Sequence, residues 1–329
     1  MHARRLTRRR AISILATAIG GVACGSSTAN RAVHEHEWRG LAMGTDARII
    51  FSGVDYASAH AAATTITVEI ERLERALSLF RDDSEIVRLN RDKTLPEPTG
   101  DMYRALALAL EVAGATDGLF DPTVQALWET YADWFAAAPD ADVPPRGLIV
   151  QALDAVNWRK IGLARNCISL GENQRVTLNG LAQGYVTDRI ADLLRLRGFD
   201  RVLVDLGEQR ALGPRRDGAA WLIARPGTTG IELTEGALAT SEGSGCILGA
   251  AGAVHHLFDP RTGCSSRQWR RVTVHHRSAA VADALSTAFY AASTRELADL
   301  LARIDGLVVW TTDRDGQERR WASTFARRA

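Results

Sequence analysis

The spacing of apolar residues changes part-way along this 329-residue chain, and that change restricts the fold more than any other feature of it. Between residues 56 and 154 apolar side chains recur at helical intervals. The longest run, 56–79, places Ile66, Val68, Ile70, Leu73 and Leu77 along an apolar stripe. Further helical stretches cover 101–116, 121–136 and, beyond the Pro144-Pro145 breaker, 147–154. After residue 160 strand-like runs take over: "CISLG", "RVTL", "RVLVDLG", "AAWLIARPG", "CILGA", "AVHHLFDP" and "RVTVHH". Residues 34–53 alternate in the same way. Helices starting near Gly180, at 279–292 and at 295–304 interrupt the strands, and "GLVVWTTD" reads as the last strand. Elements grouped by type predict an α+β fold with mixed or antiparallel sheets packed with helices, rather than a doubly wound sheet. No G-x-G-x-x-G or P-loop follows a strand, so the common nucleotide-binding folds gain no support.

The first 29 residues stand apart from this pattern. A basic start, an apolar stretch from Ala11 to Ala23 and small residues at its end form an export signal. Thr7-Arg8-Arg9 before an alanine-rich segment points to the twin-arginine route, used by proteins that fold before export. Cys24 follows Gly21-Val22-Ala23, a lipoprotein-like site without the usual leucine three positions upstream. The expected location is therefore the periplasm, free or anchored to the inner membrane by a lipid on Cys24. The folded domain is expected over 38–315.

With 40 basic and 39 acidic residues, nothing in the charge predicts a nucleic-acid partner. Cys167, Cys246 and Cys264 are too scattered for a zinc site or a disulfide scaffold, and each is expected as a buried free thiol. The doublets His255-His256 and His275-His276 lie on strand-like segments, where neighbouring rings face opposite sides, which argues against zinc ligation.

Four segments carry candidate chemistry. In "LNGLAQGYVTDRI", residues 178–190, Gly180 and Gly184 sit at a helix start, where each costs roughly 1 kcal/mol relative to alanine. Either the bare backbone meets a ligand at the helix N-terminus, or it allows tight packing. Asp283 and Thr287 are four apart and share a helix face: hard oxygen ligands suited to Mg²⁺ beside a phosphate, unless Asp283 only meets the helix dipole. In "HHLFDPRTG", His256 is a candidate acid or base. In "TDGLFDPTV", Asp121 precedes Pro122 and reads as a helix cap or a ligand contact.

In order and spacing these segments resemble the FAD:protein FMN transferases, the ApbE family, over about residues 40–310. The matches are "AMGT", "LSLFRDDSEIVRLN", "DGLFDPT", "GLAQGYVTDRIADLLRLRGFDRVLVDLG", "ALATS", "HHLFDPRTG" and "ADALSTA". The resemblance implies a T-fold-like α+β architecture. It implies Mg²⁺-dependent transfer of the FMN half of FAD to a threonine or serine hydroxyl of an acceptor protein, with release of AMP. Acceptors carry a Ser/Thr-Gly-Ala-Thr/Ser-like motif, and some members serve membrane-bound respiratory components. It assigns flavin-nucleotide contacts to Met43, Phe80, Leu119, Phe120, Asp121, Gln183 and Leu257. Metal positions fall on Gly180, Asp283 and Thr287, and the transfer histidine on His256.

Some positions depart from the family pattern. Gln183 stands where most members have Lys, Thr177 replaces an acidic residue, "DLGEQ" replaces Asn-Leu-Gly-Gly-Asp/Asn, and Ser241-Glu242 replaces Ser-Gly. Glu208 and Glu242 thus bring carboxylates where the family keeps bare backbone, and are expected to weaken FAD binding by repulsion. Two other activities stay open on sequence: a flavin carrier that binds FAD without transfer, and an FAD hydrolase giving FMN and AMP.

Overall fold

The computed structural model describes residues 35–225, 229–249 and 254–323; the export-signal segment, with Arg8, Arg9 and Cys24, lies outside them. Among the described residues eight strands form the central sheet: β1 (Glu35–Ala42), β2 (Thr45–Ser52), β3 (Val202–Asp205), β4 (Gln209–Leu212), β5 (Gly236–Glu242), β6 (Arg271–His276), β7 (Val308–Thr312) and β8 (Glu318–Ala322). They lie side by side in chain order, and every neighbouring pair is antiparallel. The α+β reading holds. The β1–β2 turn is Met43-Gly44, both at positive φ, which suits a tight two-residue hairpin connection.

Among the described residues eight helices accompany the sheet: α1 (Tyr56–Leu77), α2 (Glu85–Asp92), α3 (Gly100–Ala115), α4 (Gln125–Ala137), α5 (Arg146–Leu153), α6 (Ala182–Leu196), α7 (Ala279–Ala291) and α8 (Thr294–Arg303). The alternation of side chains along a strand divides the core. Val202 and Val204 join the large cluster formed with the helices. Leu203 points the other way, into a smaller cluster with Trp221 and Leu233 of the hairpin Trp221–Ile223/Ile231–Leu233. A third cluster, built from Leu127, Tyr131 and Phe135 of α4 with Ile149 and Phe258, packs α4 and α5 against the 254–258 segment.

Three expectations need correction. "RVTL" is not a strand: the side-chain amide of Asn90 donates to the Val176 carbonyl (2.8 Å) and accepts from its N–H (2.7 Å), taking the bonds a neighbouring strand would make. "GLVVWTTD" is not the last strand, because β8 pairs along the outer edge of β7. Of the cysteines, Cys167 is half-buried, while Cys246 and Cys264 are exposed. Among the described residues no helix is long and apolar enough to cross a membrane.

Candidate active site

Helices α6 and α7 are locked to each other at their N-termini. The α6 start has no side-chain cap of its own. Its Gly184 N–H, a donor without an intrahelical partner, is met by Asp283 Oδ2 of α7 at 3.1 Å. In return Asp188 of α6 accepts from Ser278 Oγ (2.6 Å) and from the N–H groups of Ala279 (2.8 Å) and Ala280 (3.1 Å) at the α7 start. Gly184 makes this approach possible, since a Cβ there would lie 2.3 Å from the Ala279 carbonyl oxygen. Its role is packing, which corrects the ligand-contact reading of that glycine. Gly180 differs: a Cβ there would stand 2.9 Å from Thr287 Oγ1 and 3.4 Å from Phe120. Its bare backbone keeps the Thr287 hydroxyl uncovered.

Next to this junction is a cavity of about 370 Å³. Its lining gathers Leu119, Phe120, Asp121, Gly180, Gln183, His256, Leu257, Asp283 and Thr287. Two predicted contacts are elsewhere. Met43 is buried in the main core, its N–H held by Glu74 Oε1 at 3.0 Å, because the hairpin turn folds it inward. Phe80 is 73% exposed in the connection between α1 and α2, away from the cavity wall. Asp121 does line the cavity, but both its oxygens are engaged. They accept from the Thr123 N–H (2.8 Å) and hydroxyl (2.6 Å) and from the Trp158 N–H (3.1 Å), so the carboxylate serves as a cap.

The sequence reading missed Trp128, Asn179 and Phe258, which also line the cavity. Trp128 was within reach of pattern reasoning, since it lies four residues after Val124 at one-face helical spacing, and both line the cavity.

His256 Nδ1 lies 3.2 Å from the Cys246 carbonyl oxygen. A carbonyl only accepts, so Nδ1 carries the proton and Nε2 keeps its lone pair. Burial pulls the imidazole below its ordinary value, against the opposing Cys246 bond, and keeps it neutral. Asp283 and Glu208 are both buried in the wall. Burial pushes Asp283 up, opposed by the Gly184 N–H. Burial, then the Asp283 charge, raises Glu208, with the Thr240 N–H opposing. Glu242 is in a different position, because its carboxylate is 2.8 Å from Arg271 Nε. Burial raises it, but the bond from Arg271 brings it below the usual carboxylate range. Gln183 donates to Thr45 Oγ1 at 3.1 Å.

Among the described residues no three His, Cys, Asp or Glu side chains converge. The donor set that fits a hard cation is smaller: the Asp283 carboxylate, the Thr287 hydroxyl and the uncovered Gly180 backbone. Mg²⁺ suits such a set, since it takes one or two carboxylates and completes its shell with water and phosphate oxygens.

Comparison with known proteins places this geometry. The family model described as the ApbE family matches residues 43–310. The FAD:protein FMN transferase of Treponema pallidum is 28% identical over 90% of this chain and 89% of its own. That of Escherichia coli K12 is 24% identical over 95% of each chain. The crystal structure of the ApbE protein from Thermotoga maritima superposes with a TM-score of 0.77 at 26% identity, covering 89% of this chain and 98% of that one. The chain belongs to the ApbE family of flavin transferases.

Proposed function

We propose that this protein is an FAD:protein FMN transferase, moving FMN from FAD to a serine or threonine hydroxyl of an acceptor protein and releasing AMP. The observation that carries this reading is one cavity in which a neutral histidine, an apolar wall and the Asp283–Thr287 pair come together. Leu119, Phe120, Trp128, Leu257 and Phe258 offer the apolar surface that a flavin or adenine ring needs.

The chemistry follows from His256. With Nδ1–H held by the Cys246 carbonyl, Nε2 accepts the proton of the acceptor hydroxyl. The hydroxyl oxygen attacks the phosphorus on the FMN side, forming a new O–P bond. The bond from that phosphorus to the bridging oxygen breaks, and AMP leaves with the electron pair. Asp283, Thr287 and the Gly180 backbone would hold the divalent cation. Bound there, it would draw charge from the pyrophosphate oxygens and the departing AMP.

AMP release tests this reading. The protein is incubated with FAD and Mg²⁺, with and without an acceptor domain bearing a Ser/Thr-Gly-Ala-Thr/Ser-like motif, and nucleotides are separated by chromatography. Transfer predicts AMP that depends on acceptor. Equal AMP without acceptor would identify a hydrolase, and none in either case a carrier.

A further inference from the structure

Glu208 brings a buried carboxylate into the cavity, and among the described residues no cation meets it. It is 6% exposed and Asp283 5%, and both line the cavity together with Thr287. Each carboxylate has one oxygen tied to backbone: Glu208 Oε2 accepts from the Thr240 N–H at 3.2 Å, and Asp283 Oδ2 from the Gly184 N–H at 3.1 Å. The second oxygen of each has no hydrogen-bond partner among the described residues, and neither carboxylate makes an ion pair there. The contrast with Glu242 is direct, since Arg271 neutralises that one.

Two carboxylates more than nine-tenths buried without a counter-charge are costly to keep. Gln183, in the same lining, adds only an amide. The Thr287 hydroxyl makes only a long 3.4 Å contact, to Ser241 Oγ. The oxygens left over are therefore Asp283 Oδ1, Glu208 Oε1 and Thr287 Oγ1, facing one cavity. All are hard donors, of the kind that suits Mg²⁺ or Mn²⁺ rather than zinc.

We propose that Glu208 is a second carboxylate ligand beside Asp283, so that this protein holds a divalent cation before any dinucleotide arrives. The proposal rests on the reading of Asp283 and Thr287 as metal ligands. A site with one carboxylate relies on substrate phosphate oxygens to complete the cation's shell. One with two supplies enough negative charge to bind the ion alone. Glu208 then does not simply repel the pyrophosphate, because its charge is spent on the cation that the pyrophosphate meets.

The test is Mn²⁺ binding to the flavin-free full-length protein, read by electron paramagnetic resonance of free Mn²⁺. Wild type, Glu208→Gln and Asp283→Asn are compared, with thermal unfolding of each in chelator to show that it folds. Wild type should bind one Mn²⁺, and Glu208→Gln should weaken that binding on the order of tenfold to a hundredfold, as expected when one of two charged ligands is lost in a buried site. In chelator Glu208→Gln should melt no lower than wild type, since it removes the unfavourable charge interaction between Glu208 and Asp283. With Mn²⁺ wild type should gain more in melting temperature than the variant. Mn²⁺ affinity that falls in Asp283→Asn but is unchanged in Glu208→Gln would overturn the role of Glu208 and leave the Asp283 site standing. No Mn²⁺ bound by flavin-free wild type would overturn the proposal, while acceptor-dependent AMP release reports separately on the transferase reading.

Discussion

At Gly184 the two helices of the site come so close that a single methyl group has nowhere to go. The atoms in its path are the carbonyl of Ala279 at 2.3 Å and the Cα of Ala280 at 2.7 Å. These are backbone atoms at a helix start and cannot move aside as a side chain would. Gly184→Ala should therefore lose roughly 3 kcal/mol of stability, as overpacking in a fixed core does, measured by urea denaturation. A loss below the error of that measurement would show the junction to be looser than described. His256 makes a second prediction. Burial lowers the imidazole from its ordinary 6.5, and only the neutral form can accept a proton. The acid limb of the kcat/KM profile for transfer should thus lie below 6.5, and His256→Ala should reduce the rate by about two to four decades while FAD still binds. A limb above 6.5 would remove the histidine from the proton path.

Much at this scale was legible in the sequence, and the reasons for the misses are physical. The Asp283–Thr287 spacing and the histidine of the "HHLFDPRTG" turn follow from helix and strand periods. Phe80 and Met43 are absent from the cavity lining because their positions depend on how a turn projects them, which no period encodes. That Glu242 meets Arg271, while among the described residues Glu208 meets no cation, depends on pairing across β5 and β6, out of reach of local sequence.

Helices α1, α3 and α6 are tied together by one carboxylate. Asp101 accepts from Tyr185 Oη at 2.7 Å, and Arg72 and Arg104 each approach to 2.7 Å. Burial pushes Asp101 up, but the bonds from Tyr185, Arg104 and Arg72 outweigh it and bring it down to about 2. A carboxyl lowered from 3.8 in the unfolded chain stabilises the fold above that value. The stabilisation is lost as pH falls from about 4 to 2, and amounts to roughly 2 kcal/mol. Asp101→Asn should remove this contribution at neutral pH and flatten the acid side of the stability curve. Denaturation as a function of pH measures both. Element boundaries were mostly readable: α1 was expected over 56–79 and α7 over 279–292, each ending within two residues of the helix found. Helix α2 escaped because its apolar face is short, with Ile86 and Leu89 buried, and its start depends on the Ser84 cap. The failure of "RVTL" as a strand has the same origin, since its partner is a side chain of α2.

At the scale of the whole molecule, we propose that residues 1–29 form a twin-arginine export signal ahead of the flavin transferase domain. Replacing Arg8 and Arg9 with lysine should leave folded protein in the cytoplasm, as fractionation would show. Normal export of that variant would indicate another route. The site is assembled from widely separated parts of the chain: the loop after α3, the starts of α4 and α6, the β3–β4 turn, β5, the 254–260 segment and α7. Such an arrangement exists only in the folded state. The central claim is covalent transfer, and intact mass spectrometry of the acceptor tests it most directly. After incubation with this protein, FAD and Mg²⁺, the acceptor should gain the mass of one FMN less one water. The gain should vanish when its motif hydroxyl is removed, and should slow by about two to four decades when His256 is replaced by alanine. An acceptor of unchanged mass, with FAD consumed or merely bound, would contradict the account.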